Sequence, residues 1–251
     1  MFSPYGPDGP TLYELAVQAL SSVERGYDLL APTFDHTPFR TPDPVLDAVT
    51  AALRAMGPFE DGLDVCCGTG AGVEVLRRVC RRQVTGVDFS AGMLAQARLA
   101  TGGALREGDG PAVLLVRADA RALPFTAAFD LAASFGALGH FLPRERPGLF
   151  AQVRAALRPG GRFVFPLAAP PRVGSPAYWA LWGFDAVMRV RNALWRPPFV
   201  MYYRTVRLSA VRAELTAAGF AVDLTPLPTL GRRSDGGPRG VLVVARRDDT
   251  G

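Results

Sequence analysis

Asp64, Gly68 and Gly70 stand close together in residues 62–76, GLDVCCGTGAGVEVL, and a second acid, Asp88, follows. A short apolar run through Leu63 and Val65 carries Asp64 and leads into the two glycines. Glycine lacks a Cβ, so backbone at such a turn can take positive φ and approach a bound molecule closely. An amphipathic pattern starts near Ala71, with Val73, Val75, Leu76 and Val79 on its apolar side. Strand, glycine turn and helix is the opening unit of a nucleotide-binding α/β sheet. A plain strand-to-helix turn is the alternative for this stretch taken alone. Asp88 closes the next apolar run, residues 83–90, about twenty residues beyond the turn, where an acid can accept hydrogen bonds from both ribose hydroxyls. Its other reading is a simple acid at a strand end.

The elements that must hold these residues alternate along the chain. Leu12, Leu15, Ala16, Ala19, Leu20 and Val23 are spaced as one helix face, with Thr11 and Glu14 as a capping box. A proline-punctuated loop carrying His36 follows; a lone polar loop residue is more often a bystander than a catalyst. Residues 44–56 predict a second helix, closed by Gly57 and Pro58. After Asp88, Ser90 is an N-cap for a helix over 90–100. Residues 112–125 give a third strand, then Asp119 just beyond its end and a turn at Leu123, Pro124 and Phe125, and residues 129–141 give a fourth, with Asp130 at its start and Ser134, Phe135 and Gly136 at its end. A helix broken by Pro159, Gly160 and Gly161 then leads to a fifth strand, residues 162–168. Strands alternating with helices predict a doubly wound parallel sheet, whose ligands sit beyond the strand carboxyl ends.

Composition narrows the classes. The chain has 251 residues, 49% of them apolar and 20% charged, which is globular. The net charge of +5 rests on arginine alone, and the arginines are dispersed. A solvated surface explains them better than nucleic-acid binding. The three cysteines, Cys66, Cys67 and Cys80, have no zinc or redox spacing, and two histidines cannot anchor a metal site without a carboxylate cluster, so no metal is expected. The reading is a reduced, cytoplasmic protein without signal peptide or transmembrane segment.

LDVCCGTG, VTGVDFS, RADARALPF, FDLAASFGALGHF and LRPGGRFVF, in this order over about residues 45–164, resemble the class I S-adenosylmethionine-dependent methyltransferases. Residues 208–224 and 241–247 look like that family's last helix and closing strands. A dehydrogenase fits less well, since its glycine motif would need glycine at Val73. Cys66 departs from the common pattern, standing where the first glycine of the turn usually sits. The resemblance implies one domain with a doubly wound, seven-stranded, Rossmann-like sheet: a helical N-terminal cap over 1–60, a cofactor-binding core over 61–167, an insertion after strand 5 over 168–206 that would serve as substrate lid, and a last helix with closing strands over 207–251. It implies S-adenosyl-L-methionine as cofactor. Asp64, Cys66, Gly68 and Gly70 would line its methionine end, Asp88 would hold the ribose, and Phe89 and Met93 would flank the adenine. Asp119 would take the exocyclic amine, with the Ala120 amide at the ring and Ser134 and Phe135 under the sulfonium. Phe89 and Met93 read equally well as core residues.

Methyl transfer is an in-line displacement that needs donor and nucleophile held together in a dry site. A base is needed only for a weakly acidic acceptor. His140, just after the fourth strand, is the candidate. Residues 168–206 concentrate Trp179, Trp182, Trp195 and Tyr202 with five arginines against one acid, Asp185. A stretch apolar on more than one face must be buried against something. A substrate lid is the first reading, with a homodimer surface and a peripheral membrane contact as alternatives. The expected activity is methylation of a small apolar or aromatic acceptor. The alternatives are a quinone or lipid methyltransferase at a membrane surface, and a non-catalytic cofactor-binding module.

Overall fold

The structure is a computed structural model that describes residues 6, 8–11, 13, 23–37, 39–102, 110–168, 208–234 and 236–248, with isolated positions between 174 and 190. Seven strands form one sheet: β1 (Phe59–Val65), β2 (Cys80–Asp88), β3 (Ala112–Arg117), β4 (Phe129–Ala133), β5 (Leu157–Ala168), β6 (Phe220–Pro226) and β7 (Gly240–Arg247). Their order is β3-β2-β1-β4-β5-β7-β6. The first five are parallel, and β7 runs antiparallel to both β5 and β6. This is the doubly wound, Rossmann-like sheet expected.

Helices α1 (Val23–Leu30), α2 (Asp43–Met56), α3 (Ala71–Arg77), α4 (Ala91–Ala100), α5 (Arg146–Ala156) and α6 (Leu208–Ala217) cover the sheet. Strand periodicity divides the core in two. Phe163 and Phe165 point to the side of α5 and α6, where they meet Phe150, Val153, Val211 and Leu215. Val164 points to the other side, with Leu131, Val84 and Val244, against Leu46, Val49 and Leu53 of α2 and Val73 and Leu76 of α3. Each fully buried Phe or Leu stabilises the fold by about 1.5–3 kcal/mol, and both layers are continuous, so the strand ends between them are held rigidly.

Local departures have local causes. The helix expected to run to Pro159 stops at Ala156 instead, because Leu157 already pairs with Phe129 of β4. Residues 157–161 are therefore an irregular start to β5, with Gly160 at φ 74°. The loop after α1 begins as a 3₁₀ turn, Ala31–His36. Of the predicted first helix, residues 12 and 14–22 lie outside the described residues, including Glu14 of the capping box. Among the described residues no helix is long and apolar enough to cross a membrane.

Candidate active site

β1 lies between β2 and β4, where the winding of the chain across the sheet reverses. A crevice opens at such a switch point, outside the strand carboxyl ends. Here it holds a cavity of about 410 Å³, within the roughly 300–1,000 Å³ of small-molecule sites.

The loop after β1 forms its floor. Cys66, Gly68 and Gly70 all take positive φ, at 60°, 52° and 98°. In Cys66 this conformation costs on the order of 1 kcal/mol. The Cys67 amide donates to the Val87 carbonyl at 2.9 Å and the Gly70 amide to the Cys67 carbonyl at 2.9 Å, which fixes the turn against β2. The glycines have separate reasons. A Cβ on Gly68 would meet nothing within 4 Å, and Gly68 lines the cavity. One on Gly70 would lie 3.2 Å from the Ala97 Cβ of α4. Gly70 does not line the cavity; the close approach expected there is made to α4. The tight position is Gly72, where a Cβ would fall 2.4 Å from Asp64 Oδ2 and 2.4 Å from Phe135 Cδ2.

Two acids look into this floor. Asp64 is 1% exposed, and among the described residues neither carboxylate oxygen has a partner at hydrogen-bond geometry, the Val73 amide being the backbone donor that acts on it. Burial pushes its pKa up to about 8, the charge of Asp88 adds to this, and the Val73 amide opposes it only in part. Asp88 is buried but well served: its Oδ2 accepts from the Gly68 amide and its Oδ1 from the Ser90 amide, both at 2.9 Å. Burial raises its pKa, and these amides limit the rise. Phe89, Met93, Asp119, Ala120 and Arg121 continue the wall. The Arg121 guanidinium holds Asp119 at 2.7–3.1 Å and pulls its pKa below the usual carboxylate value. Arg121 also reaches Glu145 at 3.2 Å.

The N-terminal cap supplies the opposite wall through Tyr27, Phe34, Phe39, Arg40 and Thr41. It is fastened from below. Asp28 Oδ1 accepts from Ser90 Oγ at 2.6 Å and from the Gly92 amide at 2.8 Å, while Ser90 Oγ caps α4 by accepting from the Met93 amide at 3.1 Å. Thr69 of the glycine turn donates to Asp35 at 2.6 Å, and Arg117 pairs with Glu24. Phe135, Ala137, His140, Phe141 and Leu142 complete the lining. Burial drives the His140 imidazole down to about 4, so it is neutral at pH 7.

The cavity thus collects Asp64, Cys66, Gly68, Asp88, Phe89, Met93, Asp119, Ala120, Phe135 and His140 from the residues singled out in the sequence. Ser134 stays out: it is buried, with its hydroxyl donating to the Val65 carbonyl at 3.0 Å. Trp179 and Trp182 also stay out, 57% and 59% exposed with rings in edge contact at 5.9 Å. Trp195 and Tyr202 lie outside the described residues. His36 is exposed and away from the cavity. Sequence reasoning missed Tyr27, Phe34, Phe39 and Gly72. The glycine in the first turn of α3 was a visible signal for the last; nothing marks the three aromatics, which lie in a helix and loop far from the glycine turn.

Residues 63–161 match the family described as "Methyltransferase domain". This stretch matches a methyltransferase domain, and the seven-stranded sheet it belongs to has the class I methyltransferase fold. The chain is 32% identical over 165 residues to "O-methyltransferase cnsE" of Penicillium expansum, a match covering 64% of this chain and 58% of that protein. The chain therefore spans less than two thirds of that relative. The methyltransferase fold recurs in solved structures. The DhpI–SAH complex matches at TM-score 0.62 and 20% identity, over 95% of this chain and 99% of that one. Magnesium protoporphyrin IX methyltransferase from Synechocystis PCC 6803 with bound SAH matches at 0.55 and 20%, over 81% and 82%.

Proposed function

We propose that this methyltransferase domain moves the methyl group of S-adenosylmethionine to a small acceptor of apolar or aromatic character. The observation that carries the reading is the Asp64 carboxyl group, buried at the cavity floor with neither oxygen in a hydrogen bond of ordinary geometry among the described residues. A buried acid in that state calls for a cationic group, and the amino group of the cofactor's methionine end is one. The rest of the floor fits too. Gly68 and Gly72 leave room where a Cβ would intrude on the cavity or on Asp64. Asp88 keeps acceptor capacity for ribose hydroxyls beyond its two amides. Phe89, Met93 and Ala120 form an apolar slot for a purine, and Asp119, although held by Arg121, retains lone pairs for an exocyclic amine.

When bound, the cofactor supplies a sulfonium methyl that a nucleophile displaces in line. The chain itself binds, orients and excludes water. Phe135 closes the floor beside Asp64 and Gly72, and Phe34, Phe39, Phe141 and Leu142 make the acceptor end apolar. Neutral His140 there can meet an acceptor by hydrogen bond, but with a pKa near 4 it is a weak base. An acceptor that is already acidic, or ionised, suits it best. The name of the Penicillium relative supports oxygen as the acceptor atom.

A lipid or quinone acceptor is the second reading, favoured by the exposed Trp179 and Trp182, since tryptophan suits a membrane–water boundary. Labelled S-adenosylmethionine incubated with aromatic hydroxy acids and carboxylic acids tests the proposal: label should pass to one of these soluble compounds. Label passing only to a vesicle-borne quinone or lipid favours the second reading. Tight binding of the product S-adenosylhomocysteine with no transfer at all would leave a binding module.

A further inference from the structure

Among the described residues, two arginines line the cavity, Arg40 and Arg121, with four acids, Asp64, Asp88, Asp119 and Glu145. Arg121 is committed on all three nitrogens: Nε and Nη2 donate to Asp119, and Nη1 donates to Glu145. Arg40 is engaged on one. Its Nη1 donates to Asp43 Oδ1 at 2.7 Å and to the Thr41 carbonyl at 3.4 Å. Its Nε lies 3.7 Å from Asp35 Oδ1, an ion pair too long to be a hydrogen bond. A guanidinium carries five N–H donors in a fixed fork, so Nε and Nη2 of Arg40 keep donors for a ligand.

Two contacts fix where in the cavity this guanidinium stands. Asp35 Oδ1 also accepts from Thr69 Oγ1 at 2.6 Å, so Asp35 bridges Arg40 to the glycine turn. Thr41, the next residue, reaches the loop after β4: a Cβ on Gly136 would fall 3.5 Å from Thr41 Oγ1. Asp64 lies between the same two loops, since a Cβ on Gly72 would meet both its Oδ2 and the Phe135 ring. Arg40 on the cap wall therefore shares with Asp64 on the floor the end bounded by the glycine turn and the β4 loop.

We propose that Arg40 binds the carboxylate of the cofactor's methionine end, opposite the ammonium that Asp64 takes. The proposal rests on reading the cavity as an S-adenosylmethionine site. An α-amino acid end carries both charges, and an acid alone would leave the carboxylate enclosed without a counter-ion, which is costly. The guanidinium fork matches the two oxygens of a carboxylate. Its present partners compete weakly, because the Asp43 and Asp35 side chains are 72% and 51% exposed and exposed ion pairs contribute little. The cap thus supplies a charge to the site as well as its aromatic wall.

Calorimetry with two ligands tests this: S-adenosylhomocysteine, and S-adenosyl-3-thiopropylamine, the same molecule with hydrogen in place of the carboxylate. Wild type should prefer the first by roughly tenfold or more, the low end for hydrogen bonds to a charged group. In Arg40→Gln the preference should fall below about threefold, with affinity for S-adenosyl-3-thiopropylamine within about twofold of wild type. Arg40→Lys, which keeps the charge without the fork, should fall between the two. Asp43→Ala should retain the full preference, which separates a ligand contact from the ion pair at the start of α2. A wild-type chain that binds both ligands equally overturns the proposal, whether or not the variants fold. So does an undiminished preference in folded Arg40→Gln, or a preference lost as fully in Asp43→Ala. If Arg40→Gln keeps the preference but loses transfer to carboxylic acids, the arginine serves a carboxylate on the acceptor and the proposal is wrong. A wild-type chain that binds neither ligand contradicts the cofactor reading itself, and the proposal falls with it.

Discussion

His140 and Asp64 are shifted by the same burial, but with opposite consequences for pH. The folded chain resists protonating His140 until about pH 4, whereas an unfolded chain accepts the proton near 6.5. Stability therefore falls as pH drops from 6.5 towards 4. His140→Gln should flatten that fall by about 3 kcal/mol in denaturant titrations at stepped pH, since each tenfold change in proton affinity is worth roughly 1.4 kcal/mol. Asp64 works the other way. Folded, it holds a proton up to about pH 8, where an unfolded aspartate has released it near 3.8. Its contribution is present below the unfolded value and is lost as pH rises through 8. Between pH 6.5 and 8, above the His140 window, Asp64→Asn should stay level while the wild type declines; parallel curves there would mean that Asp64 is not the buried acid described. Asp64, Asp88 and Asp119 were legible in the sequence because each stands at or just beyond the end of a strand pattern. Tyr27 and Gly72 were not singled out, because their importance depends on which distant residues they touch.

At the scale of elements, the glycine turn and the cap give separable predictions. Gly70→Ala should destabilise the fold by about 1–2 kcal/mol, the cost of a left-handed non-glycine residue, because its Cβ would also press on Ala97. Gly68→Val carries the same backbone cost, yet its side chain enters the cavity, so it should lose cofactor binding even where the protein remains folded. Thermal melts with calorimetry on both variants distinguish the two, and a Gly68→Val chain that binds at wild-type strength contradicts the assignment. Asp28→Ala should release α1 from α4. Amide exchange in residues 23–36 should quicken about tenfold, equivalent to about 1.4 kcal/mol, with β1 and β4 unchanged. The succession of strands and helices could be anticipated because apolar periodicity marks it, and the seven-stranded sheet was what the family resemblance implied. The end of α5 could not, since residues 157–161 contain helix-breaking signals and the pairing of Leu157 with Phe129 decides where the strand begins.

For the whole molecule, the aromatic wall over the cavity comes from the N-terminal cap, and the two described tryptophans after β5 face outward. Composition could show that residues 168–206 are rich in aromatics, but not which surface each ring would occupy. Trp179→Ser with Trp182→Ser should leave S-adenosylhomocysteine affinity unchanged and stability within about 0.5 kcal/mol, as for surface positions. Loss of anionic-vesicle binding in that variant would support the membrane reading, and a change from dimer to monomer would support an interface.

The crevice between β1 and β4 is proposed to take S-adenosylmethionine through Asp64 and Asp88. Calorimetric titration of S-adenosylhomocysteine into wild type and Asp88→Ala tests it most directly. One site per chain is expected, weakened by about 1.5–3 kcal/mol in the variant, the range for hydrogen bonds to a charged group. A folded Asp88→Ala protein that binds as tightly as wild type, or a wild-type chain that gives no binding at all, would contradict it.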